Sequence, residues 1–197
     1  MREQLCMALA LRKGQTITPE MAVALVRELF PDRSYAPELF GQTVYADYVF
    51  QCERFTEVLP ELHGLNELHY AETEDYLAGI PMDPDYKGMQ ESEHAGRLIQ
   101  FTARVKATGQ LVGNMRVYIY RSMHNQKLFC EEDTFFVLKA HRGGFMAVRL
   151  WQFVENAVRY AVGVRGVEFD SKLSNKADKM ALYLKYKPVS TRFIKTF

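Results

Sequence analysis

No stretch of this chain approaches the roughly 20 consecutive apolar residues that a helix needs to cross a bilayer, so no membrane span is expected. The apolar run from Leu5 to Leu11 is short and lacks a small-residue cleavage site, so no secretory leader is expected either. Cysteine is scarce. Cys6, Cys52 and Cys130 are odd in number, far apart and free of CxxC or zinc spacing. That pattern argues against a disulfide framework and fits reduced thiols in a cytoplasmic setting. The five histidines show no HxxxH spacing, so no metal is expected. Net charge is nearly absent: 25 Lys and Arg against 24 Asp and Glu leave +1 at pH 7. A dedicated nucleic-acid binder is usually clearly basic, so this balance argues against one, though a local basic patch stays open. Internal repeats, low-complexity tracts and a GxSxG nucleophile motif are all missing.

What is present is a core. Hydrophobic residues make up 48% of the chain and charged ones 25%, the balance of a globular domain. Leu5 to Leu11 fits a short strand or a short helix equally well. Thr18 and Pro19 mark a helix start, as N-cap and first helical residue. Ala22, Leu25, Val26 and Leu29 form its stripe, and Pro31 ends it. Residues 32–43 read as a connector. Val44 to Cys52, rich in aromatic and β-branched residues, predicts a strand. A second helix is expected from Thr56 to about Tyr70 on Leu59, Leu62, Leu65 and Leu68.

Residues 71–93 hold many acids, among them Glu72, Glu74, Asp83, Asp85, Glu91 and Glu93, broken by Pro and Gly. They read as an acidic loop or broken helix. Such a segment is either a solvated surface or a funnel that concentrates a cationic substrate. Arg97 to Val105 and Leu111 to Tyr120 form a strand pair around Thr108-Gly109. Leu111, Gly113, Met115, Val117 and Ile119 alternate with Asn114, Arg116 and Tyr118, as in a half-buried strand.

The most informative stretch is Thr134 to Ala161. The apolar run ending Val137-Leu138 predicts a buried strand. A basic, Gly-bearing turn follows at Lys139 to Gly144. Ala147, Leu150, Trp151, Val154, Ala157, Val158 and Ala161 then recur at helical spacing. Strand, Gly turn and helix together aim backbone N–H groups and the positive end of a helix dipole at an anion, so a phosphate-bearing ligand is expected. Gly163 suits a C-cap. Gly166 to Leu173 predicts a strand, and Lys176 to Lys185 a short helix with Ala177, Met180, Ala181 and Leu184 inward. Val189 to Ile194 predicts a last strand. The order β-α-(α)-β-β-β-α-β-α-β implies an α/β (α+β) fold: a mixed, mostly antiparallel central sheet flanked by helices.

With that order in place, the chain resembles the GNAT N-acyltransferase superfamily from about residue 44 to 197. Four matches carry the resemblance. The family's turn, Arg/Gln-x-x-Gly-x-Gly/Ala, stands here as Arg142-Gly143-Gly144-Phe145-Met146-Ala147. The long apolar helix follows it. Asn175-Lys176-Ala177 is similar to the family's Asn-x-x-Ala, and Tyr183 stands where the family commonly has a Tyr. The Glu72–Val117 region is similar to GNAT proteins encoded by bacteriophages. Residues 1–43 form an N-terminal extension with one helix, free to pack across a homodimer or over the site.

The resemblance implies acetyl transfer from acetyl-CoA to an amine acceptor, a small molecule or a protein, by direct attack in a ternary complex. Val137, Leu138, Arg142, Gly143, Gly144, Phe145, Met146, Ala147 and Asn175 would hold the coenzyme; Lys139 and Arg149 lie near enough in sequence to add charge. Tyr183 would protonate the leaving thiolate. The base falls among Glu131, Glu132 and Asp133, with Glu132 preferred; alternation sets it on the face opposite the other two, and a bulge would reverse the choice. His124 and His141 are further candidates. Two departures keep rivals open. Phe145 stands where the family usually has a Gly, unless Gly143-Gly144 shift the turn by one residue. The usual Gly-Phe after the Tyr helix is missing. One rival is a binding protein of the same fold without catalysis; another is an acyltransferase acting on a nucleic-acid base.

Overall fold

The computed structural model describes residues 2–29, 31–74, 77, 79–172 and 177–195. Helices α1 (Arg2–Ala10) and α2 (Pro19–Leu29) come first, so two helices stand where one was expected. The ambiguous Leu5–Leu11 run is helical as far as Ala10, and no strand among the described residues lies beside it to complete a ladder. The Thr18 hydroxyl accepts the Met21 N–H at 3.2 Å, the N-cap bond expected there. A 3-10 turn at Pro37–Phe40 sends Phe40 into the core, edge-on against Phe101.

The predicted Val44–Cys52 strand is instead a hairpin, β1 (Gln42–Tyr45) and β2 (Tyr48–Glu53), with Ala46 at φ 49° in its two-residue turn. Helix α3 (Phe55–Thr73) and helix α4 (Tyr86–His94) follow. Half of the acidic segment is therefore helix. Asp85 starts α4 by accepting the Gly88 N–H at 2.8 Å. Glu93 is buried, and its carboxylate accepts the N–H groups of Phe55 at 2.5 Å and Thr56 at 3.2 Å, capping α3 from outside its own sequence.

Strands β3 (Leu98–Val105), β4 (Leu111–Arg121) and β5 (Leu128–Val137) run antiparallel. The short β6 (Val167–Glu168) pairs parallel to β5, and the six strands lie in sequence order. Between β5 and β6 runs helix α5 (Met146–Ala157), extended by a wider π turn to Val162 and stopped by Gly163 at φ 80°. Helix α6 (Asp178–Tyr183) ends the regular structure.

One sheet face carries α5, with Trp151, Leu150 and Val154 fully buried among Met115, Val117 and Phe101. The other carries α3 through Phe55, Val58, Leu62 and Leu65. Strand β4 is consequently buried on both faces from Leu111 to Val117, where alternation predicted one wet face. Leu68 is 53% exposed, because a strict i+3 repeat from Leu59 drifts off the buried face of a 3.6-residue helix. The predicted strand at Val189–Ile194 does not form. Those residues are exposed, with no partner strand among the described residues. Asn175 and Lys176 lie outside the described residues.

Candidate active site

The turn between β5 and α5 has the geometry that its sequence asks for. Gly144 takes φ 66°, a left-handed conformation that side chains resist, whereas Phe145 takes an ordinary φ of −108°. The glycine requirement has thus moved one residue upstream, and an aromatic residue is tolerated at position 145. Phe145 turns its ring outward, half exposed, against Tyr183 at 6.1 Å. Nothing lies within 4 Å of where a Cβ would stand on Gly143 or Gly144. Among the described residues no acceptor takes the N–H groups of Gly143, Gly144 or Phe145. These amides join the first free donors of α5 at Met146 and Ala147. A diphosphate fits such a row, because it supplies the missing acceptors and the negative charge that the helix dipole favours.

Arg142 does not face that row. Its guanidinium forms a bidentate pair with Glu72 of α3, at 2.5 and 2.9 Å, and its Nε donates to the Val137 carbonyl at 2.7 Å. It also lies over the Phe136 ring at 5.1 Å. Lys139 reaches the same Glu72 at 3.8 Å. The Glu72 carboxyl is held below its ordinary range, chiefly by the Arg142 hydrogen bonds. Arg149 lies over Tyr45 and bonds Gln152.

Strand β5 contains a bulge. Thr134 faces Arg116 and Glu132 faces Val117, so Asp133 is an extra residue in the ladder. Below the bulge Cys130 lies on the α5 face; above it Phe135 and Val137 lie on that same face, a reversal of parity. Glu132 shares the α5 side with its partner Val117, and Asp133 turns to the other side to bond Arg116 at 2.6 Å. The bulge also directs hydrogen-bonding groups. The Cys130 N–H donates toward β6, to the Gly166 carbonyl at 3.0 Å, whereas the Leu138 N–H donates toward β4, to Val112 at 2.8 Å. Phe135 and Val137, of opposite parity to Leu138, therefore aim their N–H groups at the β6 side. No described strand meets them there, since β5–β6 pairing ends at Glu131 and Glu168.

Where the strands part, a cleft of about 330 Å³ opens. Glu131, Glu132 and Asp133 border it from β5, Asp170 and Lys172 from beyond β6, and His69 from α3. Burial, together with the nearby Asp133 and Asp170 charges, pushes the half-buried Glu132 carboxyl up to about 8, although an Asp170 backbone hydrogen bond and Lys172 pull the other way. Lys172 pairs with Glu74 at 3.3 Å, and Arg192 reaches Asp170 at 3.4 Å and Glu131 at 4.0 Å. Tyr183 does not line this cleft. It stays 61% exposed beside Phe145, so the structure does not bring Tyr183 and Glu132 to one cavity. His141 bonds the Tyr48 hydroxyl at 3.1 Å, and His124 sits in the exposed β4–β5 turn. Neither borders the cleft. His69 does, and its sequence signal was its place after Leu62, Leu65 and Asn66 on the buried stripe of α3. Among the described residues no three His, Cys, Asp or Glu side chains converge as metal ligands.

No family model and no curated protein matches the chain. Solved structures do. AAC(6')-Iy, in complex with the bisubstrate analogue CoA-S-monomethyl-acetylneamine, has a TM-score of 0.59 at 19% identity, over 76% of this chain and 97% of that one. A putative acetyltransferase from Pyrococcus furiosus has a TM-score of 0.54 at 18% identity, over 76% and 99%. An aminoglycoside acetyltransferase from an uncultured soil metagenomic sample, in complex with trehalose, has 0.54 at 17%, over 79% and 97%. The chain has the fold of the GNAT acetyltransferases: a six-stranded, mostly antiparallel sheet between helices.

Proposed function

We propose that this protein is an N-acyltransferase that moves an acetyl group from acetyl-CoA to an amine by direct attack. The observation that carries the reading is the row of amides from Gly143 to Phe145 at the mouth of α5, which have no partner among the described residues, beside an edge of β5 that no described strand pairs. Those amides would hold the diphosphate of the coenzyme, and the Phe135 and Val137 edge would pair with its amide-bearing arm. Leu138 would border that arm. The thioester would then lie toward the cleft that holds Glu132.

Buried thiols support direct attack. Burial pushes the Cys130 thiol up to about 12 and raises Cys52 still further, so neither offers a thiolate at neutral pH to carry the acetyl group, and the exposed Cys6 of α1 does not line the cleft. The amine must lose a proton before it attacks. Glu132 would take that proton as pH approaches 8, and Tyr183 would return one to the sulfur. Acidic groups outnumber basic ones around the cleft, which supports a cationic acceptor. The near-zero net charge favours a small amine or protein over a nucleic acid.

Isothermal titration with acetyl-CoA, followed by thiol release with a panel of amines, peptides and nucleosides, tests the reading. Binding plus amine-stimulated release is expected. No binding at millimolar acetyl-CoA would leave the rival of a non-catalytic protein on the same fold. In the working enzyme, Tyr183→Phe should slow turnover while leaving coenzyme affinity nearly unchanged; an equal rate would remove Tyr183 from this role.

A further inference from the structure

We propose that His69 accepts the proton of the amine nucleophile: its imidazole projects from the last turns of α3 into the wall of the cleft that Glu132 borders. The role rests on the acyl-transfer reading above. Three observations carry it. His69 is the one histidine among the described residues that lines this cleft. Its ring packs on Phe136 at 5.6 Å, which fixes the plane of the imidazole. Neither ring nitrogen has a hydrogen-bond partner among the described residues, so both are free to meet a substrate.

The surroundings suit a base. Burial lowers His69's affinity for a proton below the ordinary value, and Arg116 of β4 and Lys172 beyond β6 act in the same direction. Glu74 at the end of α3 and Asp133 of β5 oppose them and do not reverse the sign. Glu132, Glu131, Asp170 and Arg192 complete the charged groups around the cleft. The imidazole is therefore neutral at pH 7, when the Glu132 carboxyl still holds its proton.

The step balances. The ammonium of the acceptor gives one proton to a ring nitrogen of His69, which passes it to water. The freed lone pair attacks the thioester carbon, so a C–N bond forms and the C–S bond breaks. The sulfur leaves with the bonding electron pair and takes up a proton from Tyr183, which regains one from the nitrogen, giving an amide, a thiol and one released proton.

The test is the pH profile of acetyl transfer to one amine, measured for the wild-type chain, His69→Gln, His69→Asn and Glu132→Gln. At pH 7 the two His69 variants should lose roughly 10²-fold in rate, the usual contribution of a general base. At pH 9 they should lose far less, since Glu132 is then ionised. Glu132→Gln should show the reverse pattern. Imidazole in the buffer should restore part of the rate to His69→Ala at pH 7, a rescue that a packing role would not show. Histidine-ring NMR, with the His69 signal assigned by its loss in His69→Gln, should show a midpoint below about 6.5. An unchanged rate in both variants near neutrality, or a His69 ring that is protonated at pH 7, defeats the role alone. A folded wild-type chain that transfers acetyl to no amine defeats the acyl-transfer reading and the role together.

Discussion

Glu132 shows how little a residue's identity says about its chemistry. In sequence it is one of three consecutive acids. In the fold it is half buried at a strand bulge, and burial, helped by the nearby Asp133 and Asp170, holds its proton on to about pH 8. The ordinary value, 4.5, applies in the unfolded chain. The folded state therefore binds this proton more tightly. The stability that results is fully present below pH 4.5 and is lost as pH rises through 8. Urea unfolding should show Glu132→Gln gaining on wild type from pH 5 to pH 9, by a few kcal/mol at most, each tenfold change in proton affinity being worth about 1.4 kcal/mol. A difference that stays flat across that range would mean that the carboxyl titrates normally. Arg142 carries the opposite lesson. Its motif points it at an anion, yet the fold gives it Glu72. Glu72→Gln should release the guanidinium and tighten acetyl-CoA binding several-fold by titration calorimetry, while Arg142→Gln should not tighten it. Loss of the pair itself should cost stability by no more than about 1 kcal/mol, because both side chains are partly solvated.

At the scale of elements, α3 depends on a residue far away in sequence. Its start has no side-chain cap of its own, and Glu93 of α4 supplies one from within the protein. Glu93→Ala would leave buried donors on Phe55 and Thr56 without partners, at a cost of about 2–3 kcal/mol in denaturant unfolding. A cost near zero would show that water replaces the carboxylate. The acidic segment thus spends Glu93 on a cap, Glu72 on Arg142 and Glu74 on Lys172. Composition could report these charges but could not pair them, since each partner is separated from its acid by dozens of residues. Periodicity read α2, α5 and the β3–β4 pair correctly. It merged the β1–β2 hairpin into one strand, because Tyr45-Ala46-Asp47-Tyr48 contains neither Gly nor Pro to mark the turn. It also read a strand at Val189–Ile194, where β-branched and aromatic residues are present but no described neighbour offers a ladder.

For the whole molecule, a coenzyme that binds only the folded chain must stabilise it by mass action. At about 100 times its dissociation constant, acetyl-CoA should add roughly 2.7 kcal/mol. For a chain of this size that corresponds to a melting rise of roughly 5–10 °C by scanning calorimetry. Failure of the melting point to move would point to the non-catalytic rival. Sequence alone determined the fold class, the strand–Gly turn–helix unit and the conformational demand now met by Gly144, because these follow from local steric rules and from hydrophobic period. Tertiary structure alone decided where β5 and β6 separate, that Asp133 is the extra residue of the bulge, and that His69 rather than His124 or His141 borders the cleft. Those outcomes depend on strand register and on which helix covers which sheet face, and both are set by contacts between residues distant in the chain.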